Sequence, residues 1–208
     1  MNQNGLLGIT LYHGTSSIFH DSIVEHGLGG IDILLQYKVK ELLEVLCSVF
    51  ENDYPNNDWW VMSGFICEKM LNNQVANSGM NFRYGSIYLS PSLFTARKYA
   101  SLNKYGSEYL SIFMQGFEEL KKLDINTATQ LLSADSPVLK LLDKNSEPLV
   151  LAIDGIDKSW LSTEAGNDIE GQLQTLNETP EILWQQFNFE TSEVIPYENI
   201  TVIDENSM

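Results

Sequence analysis

His13 ends a short apolar run, Leu-Leu-Gly-Ile-Thr-Leu-Tyr over residues 6–12, and is followed at once by Gly14 and Thr15. Tyr88 lies 75 residues further on, at the close of a second apolar run, with Ser90 just behind it and Tyr99 11 residues after it. An imidazole can donate or accept a hydrogen bond. A glycine lets a ligand come close to the backbone. A phenol ring offers a flat face for stacking. One imidazole and two rings suit a ligand in which a ribose carries a small aromatic ring. Taken singly, each residue has an ordinary explanation: a histidine at a strand end, or a tyrosine at the edge of a core. Order, spacing and residue type together favour a shared pocket.

Several elements must position these residues. Residues 6–12 are expected to form a first strand that ends at His13. Ser16 or Ser17 would cap a helix over roughly Ile18–Glu25, with Gly27 as its C-cap. From Ile33 to Phe50 apolar residues recur at helical spacing, which predicts one amphipathic helix. The loop Asn52–Asp58 follows, then a second helix over Trp59–Leu71 and a polar break at 72–79. Ser86–Ser90 reads as a short strand that Pro91 ends. Ser92 or Thr95 would cap the helix that carries Tyr99. Helices are expected over Tyr105–Leu123 and Thr127–Leu142, and a buried strand over Leu149–Ile153. Thr163–Thr179 reads as a loop or lid, and Phe187–Ile203 as one or two strands broken at Pro196. Strands clustered at both ends with helices between them give an α+β class. A dinucleotide-binding βαβ fold is disfavoured, because no Gly-x-Gly-x-x-Gly follows a strand.

The segment from His13-Gly14-Thr15-Ser16-Ser17 to Ile23-Val24-Glu25-His26-Gly27-Leu28 resembles the first motif of the ADP-ribosyltransferase fold. The branch it resembles is the histidine–tyrosine–glutamate branch, which includes the poly(ADP-ribose) polymerases and diphtheria toxin. Ser86-Ile87-Tyr88-Leu89-Ser90, with Ala96 and Tyr99, resembles its second motif. The resemblance implies a single domain over 1–208 built on a split antiparallel β-sheet, with 31–82 as a helical insertion between the two motifs. It implies NAD+ as substrate and cleavage of the bond between nicotinamide and ribose. His13 would then bind a ribose hydroxyl of the adenosine part, and the Gly14 backbone would bind the nicotinamide amide. Tyr88 and Tyr99 would flank the nicotinamide ring, with Tyr12, Thr15 and Ser90 lining or supporting the site. Small standalone members of this family act as bacterial or phage toxins, effectors or defence proteins. The corresponding expectation is mono-ADP-ribosyl transfer to a macromolecule, with an antitoxin or immunity protein as a further partner.

The third motif of that branch is a glutamate at the head of a C-terminal strand. Here Ile195-Pro196 to Ile200 resembles the turn after that strand, and counting back by the usual strand length lands nearer Asn188 than a glutamate. In a strand over this run Phe187, Phe189 and Thr191 share one face, and Asn188, Glu190 and Ser192 share the other. Glu190 is therefore the first candidate for the catalytic acid and Glu193 the second. Should neither serve, poly-transfer is disfavoured, and mono-transfer or an inactive module that binds a nucleotide or a protein would remain. The RNA 2′-phosphotransferases share the fold and a Tyr-His-Gly-Thr start, but they need a histidine where Tyr88 stands and basic residues to grip RNA.

Composition sets the remaining limits. The chain has 208 residues and a net charge of −16. Its last part, from Leu151 to Met208, holds 12 acidic residues against the single base Lys158. Such a surface repels a phosphate backbone, so a protein acceptor is favoured slightly over a nucleic acid. The two arginines, Arg83 and Arg97, stand around Tyr88 with Lys98 and Lys104 nearby. This basic island is either a contact for a pyrophosphate or ordinary surface charge. The three histidines and two cysteines show no metal-ligand spacing, so no metal is expected. Cys47 and Cys67 read as buried free thiols. The start lacks the basic and apolar regions of a signal peptide, and no stretch is long enough to span a membrane. The expected location is the cytoplasm, or another cell's cytosol if the protein is a delivered effector.

Overall fold

The computed structural model of the protein describes residues 5–73, 87–163 and 169–203. In chain order the elements are β1 (Leu11–Ser16), α1 (His20–His26), α2 (Ile33–Gln36), α3 (Val39–Asp53), α4 (Asp58–Leu71), β2 (Ile87–Leu89), α5 (Leu93–Leu102), α6 (Glu108–Leu123), α7 (Ile125–Leu131), α8 (Pro137–Leu142), β3 (Pro148–Ile153), β4 (Ser162–Thr163), α9 (Ile169–Glu178), β5 (Phe189–Thr191) and β6 (Ile200–Ile203). The class is mixed α and β, with two antiparallel three-stranded sheets. The chain divides into two compact units: Met1–Ile31, Gly85–Gly106 and Ser146–Met208 form one, and Asp32–Tyr84 with Ser107–Asn145 form the other. The segment expected as an insertion falls in the second unit from residue 32 on, and that unit also takes in Ser107–Asn145.

In the first unit, one sheet has the order β1-β3-β6 and the other β2-β5-β4. Antiparallel pairing runs from Leu11↔Ile153 to Ser16↔Pro148 between β1 and β3, and from Val150↔Ile203 to Ile153↔Ile200 between β3 and β6. Among the described residues a single bridge, Tyr12↔Ser90, joins the two sheets. Helix α5 starts at Ser92, whose hydroxyl accepts from the Thr95 N–H. Its small residues Ala96 and Ala100, one turn apart, pack with Val150. Gly14 is what permits this close approach, since a Cβ there would lie 2.0 Å from the Ala96 carbonyl oxygen. The unit buries Leu11, Leu89, Leu151, Ile153 and Phe189 almost completely. Each such side chain is worth about 1.5–3 kcal/mol of burial.

The second unit is helical among its described residues. On α3 the buried positions Val39, Leu43, Leu46, Cys47 and Phe50 repeat at helical spacing. Helix α4 is capped by the Asn57 side chain, which accepts from the N–H groups of Trp59 and Trp60. The Trp59 ring lies 4.7 Å from that of Phe50, centroid to centroid, and fills the space left by Gly116 of α6. Cys47 and Cys67 are both buried and free, as expected. Among the described residues no helix is long and apolar enough to cross a membrane.

The structure corrects several local expectations. The first strand begins at Leu11 rather than Leu6, so His13 sits within β1 instead of ending it. Leu6 and Leu7 make only a bridge to Asp157 and a hydrogen bond to Ile156. The serine cap before α1 is not made: a 3₁₀ turn, Ser17–Phe19, intervenes, and the Ser17 hydroxyl accepts from the Glu147 N–H instead. The long helix expected over Ile33–Phe50 is two helices, broken at Lys38, whose φ of 53° is left-handed. That conformation costs a non-glycine residue roughly 1–2 kcal/mol, and apolar periodicity does not register it. Likewise Thr127–Leu142 splits into α7 and α8, because Ser136 before Pro137 must be extended. The loop expected over Thr163–Thr179 contains α9, which buries Leu173 and Leu176. Arg83, Ser86 and most of the polar break at 72–79 lie outside the described residues.

Candidate functional site

The seam between the two sheets of the first unit brings His13, Gly14, Tyr88 and Glu190 together. Tyr12 donates its N–H to the Ser90 carbonyl at 2.7 Å and accepts the Ser90 N–H at 2.9 Å. Ser17 donates in the opposite direction, to the Glu147 carbonyl at the start of β3. Backbone groups alternate between the two edges of an antiparallel strand. Gly14 therefore directs its N–H and C=O to the same edge as Tyr12, past the end of the bridge. Continued by two residues, the bridge register would set Gly14 against Tyr88. Instead the His13 imidazole takes the Tyr88 carbonyl, with Nδ1 at 2.9 Å.

That contact fixes the chemistry of the histidine. A carbonyl only accepts, so Nδ1 carries the hydrogen and the Nε2 lone pair of the neutral ring is left to accept. Burial pushes the His13 pKa below its ordinary value, opposed by the bond to Tyr88. The ring is thus a neutral acceptor at physiological pH. The residue is half-buried.

Tyr88 stands directly across from Glu190 in the β2–β5 ladder, and Glu190 directly across from Ser162 in the β5–β4 ladder. Ser90 spends its backbone groups on β1, and by alternation Tyr88 points its own the same way. Tyr88 and Glu190 therefore form the non-hydrogen-bonded kind of pair, in which facing side chains come closest. Tyr88, Glu190 and Ser162 form a half-buried row on one face of this sheet. The other face is core: Leu89, Phe189, Thr163 and Thr191 are buried. The Ser162 hydroxyl lies 3.4 Å from both the backbone carbonyl and Oε1 of Glu190. Glu193 is exposed in the turn after β5, and its N–H donates to the Thr191 hydroxyl. Of the two candidate acids, Glu190 is the one beside Tyr88.

The other expected site residues occupy supporting places. Tyr12 packs against Ala96, Ala100 and Val150. Thr15 is buried under Gly106, whose φ of 64° and bare Cα allow the contact. Ser90 is buried, its hydroxyl donating to the Phe187 carbonyl and accepting from the Ser92 N–H. It thereby ties the end of β2 to the chain leading into β5. Tyr99, on α5, is 37% exposed. Of the basic island, Arg97 is half-buried and Lys98 exposed on α5, while the Lys104 ammonium sits 5.2 Å from the Tyr105 ring.

One further link joins the first motif to the C-terminal turn. Gly27 ends α1 at φ 80°, and Leu28 and Ile195 exchange both backbone hydrogen bonds. A Cβ on Gly27 would meet the Ile195 carbonyl oxygen at 2.6 Å. Sequence reasoning missed Ser162: β4 is two residues long, and no periodicity marks so short a strand. Compared with family models, with curated proteins and with solved structures, the chain matches none.

Proposed function

We propose that the protein is a mono-ADP-ribosyltransferase that cleaves NAD+ at the nicotinamide–ribose bond and transfers ADP-ribose to a macromolecular target. The observation that carries this reading is the cross-strand pairing of Tyr88 with Glu190 beside the His13–Tyr88 contact. A phenol ring, a carboxylate, a neutral imidazole acceptor and the edge of the buried Gly14 backbone thereby lie along one seam.

Each group has a task in that reaction. The Gly14 N–H and C=O match the carbonyl and amino group of a carboxamide. Tyr88 and Tyr99 offer ring faces to nicotinamide, each contact worth about 1 kcal/mol beyond burial. His13 Nε2 accepts from a ribose hydroxyl. In the chemical step the bond between ribose C1′ and the nicotinamide nitrogen breaks. Its electron pair stays on nitrogen, so neutral nicotinamide leaves and positive charge develops on the sugar, as in glycoside hydrolysis. The Glu190 carboxylate stabilises that charge and accepts the proton of the incoming nucleophile, which bonds to C1′. The acidic chain favours a protein acceptor. A toxin, effector or defence role, with an antitoxin or immunity protein, accompanies this reading.

The test is nicotinamide release from NAD+ by the purified protein, with labelled NAD+ in a cell lysate alongside. Release together with a labelled macromolecule supports the transferase. NAD+ binding without release or labelling would point to an inactive nucleotide-binding module, and absence of binding would remove the site assignment altogether.

A further inference from the structure

We infer that Ser162 is the positioning residue for Glu190: its hydroxyl holds one carboxylate oxygen and leaves the other to the substrate. The inference rests on the transferase reading above and adds to it a group that neither motif contains. Three observations carry it. First, the ladder sets Ser162 directly opposite Glu190, on the side away from Tyr88, so the carboxylate is flanked in register on both sides. Second, the Ser162 hydroxyl is 3.4 Å from both Glu190 Oε1 and the Glu190 carbonyl, a long, shared contact that one proton can serve in turn. Third, β4 is held in place. Before it, the Asp157 side chain accepts from the Ser159 N–H, starting the 3₁₀ turn Lys158–Trp160. Within it, Thr163 is buried and pairs with Phe189 of β5.

A glutamate has three rotatable side-chain bonds, and a half-buried one on an open sheet face has room to turn. A serine fixed in the neighbouring strand restricts that freedom at little entropic cost of its own. At 3.4 Å the contact is longer than an ordinary O–H···O hydrogen bond. Its part is to favour the rotamer in which the carboxylate lies over the row rather than out in water. A surface serine with no such role would leave the rate unchanged when truncated.

The experiment combines kinetics with an activity-independent signal. Ser162→Ala is expected to lower kcat for NAD+ cleavage roughly tenfold while KM for NAD+ stays within about twofold. Ser162→Thr, which keeps the hydroxyl, is expected to restore most of the rate. In a Glu190→Gln background Ser162→Ala is expected to add no further loss, because the two residues act as one unit. In the free protein the ¹³C carboxyl resonance of Glu190, assigned by its disappearance in Glu190→Gln, should move in Ser162→Ala and return in Ser162→Thr. Full kcat in Ser162→Ala, an equal loss in the Glu190→Gln background, or an unmoved carboxyl resonance would each overturn the inference. Should the wild-type protein not cleave NAD+, the transferase reading fails, and the carboxyl resonance alone still decides whether Ser162 holds Glu190.

Discussion

The His13 Nδ1 lies 2.9 Å from the Tyr88 carbonyl, in the place where a continuing β1–β2 ladder would pair Gly14 with Tyr88. One side chain thus marks the point where the strands part, and it is held as a neutral ring by burial. NAD+ binding should therefore be flat from pH 8 down to about 6.5, the ordinary histidine value, and weaken only below it. Stability follows the same sign. The folded pKa is below the unfolded one, so the unfolded chain takes the proton first. Stability contributed by the neutral ring is present above about 6.5 and lost as pH falls from there towards the folded value. His13→Gln should flatten that slope in urea titrations between pH 5 and pH 7, within the range where an ordinary histidine changes charge. An unchanged slope would place the titrating group elsewhere.

Glu190 and Glu193 are three residues apart, yet only Glu190 faces Tyr88. Glu190→Gln should lower nicotinamide release by about 10²–10³-fold, the range for losing one positioned catalytic group. Glu193→Gln should stay within about twofold, since its side chain is in the exposed turn. The opposite ranking in a side-by-side assay would mean that the exposed turn supplies the acid.

Gly14 has a structural task besides any ligand contact. A Cβ there would meet backbone atoms of Ala96 and Ala100, which cannot move aside as a flexible side chain does. Gly14→Ala should destabilise the protein by about 1–3 kcal/mol or more. Gly8, which has nothing within 4 Å of a built Cβ, is the control. Gly8→Ala should shift the urea midpoint by less than the equivalent of about 0.5 kcal/mol. Equal shifts for the two variants would refute the close packing of α5 on β1.

Cys47 and Cys67 interact inside the second unit. That interaction, and then burial, pushes the Cys47 thiol well above its ordinary range, while Cys67 is held lower. Both side chains are nearly inaccessible. Iodoacetamide at pH 8, near the pKa of an exposed thiol, should modify neither thiol in the native protein and both after unfolding in guanidinium. Mass spectrometry of the intact protein reads this directly, and native modification of either would contradict the packing.

The Asn57 cap makes a separate claim on the second unit. Its side-chain oxygen accepts from the Trp59 N–H at 2.9 Å and the Trp60 N–H at 3.4 Å. Asn57→Ala should cost about 1 kcal/mol of stability, and Asn57→Asp should restore most of it. Thermal melts of the two variants distinguish a cap from an exposed asparagine with no energetic role.

Sequence alone located what depends on neighbours a few residues away. The apolar run of β3, the buried stripe of α3, the Ser92 cap and the Gly27 helix end are short-range features, and each appears where residue type and spacing place it. The alternation that put Glu190 on the face opposite Phe189 and Thr191 was legible for the same reason. Period and capping cannot say which strands become neighbours. The facing of Tyr88 and Glu190 joins residues 102 apart in the chain, and the Tyr12–Ser90 bridge joins residues 78 apart. Both depend on how two small sheets close around one core. The two-residue β4 exists only because β5 offers it an edge, which is why Ser162 carried no signal. The breaks at Lys38 and before Pro137 were likewise settled by backbone geometry that hydrophobic spacing does not encode. The residues that could do chemistry were written in the chain, and tertiary pairing alone decided which of them meet.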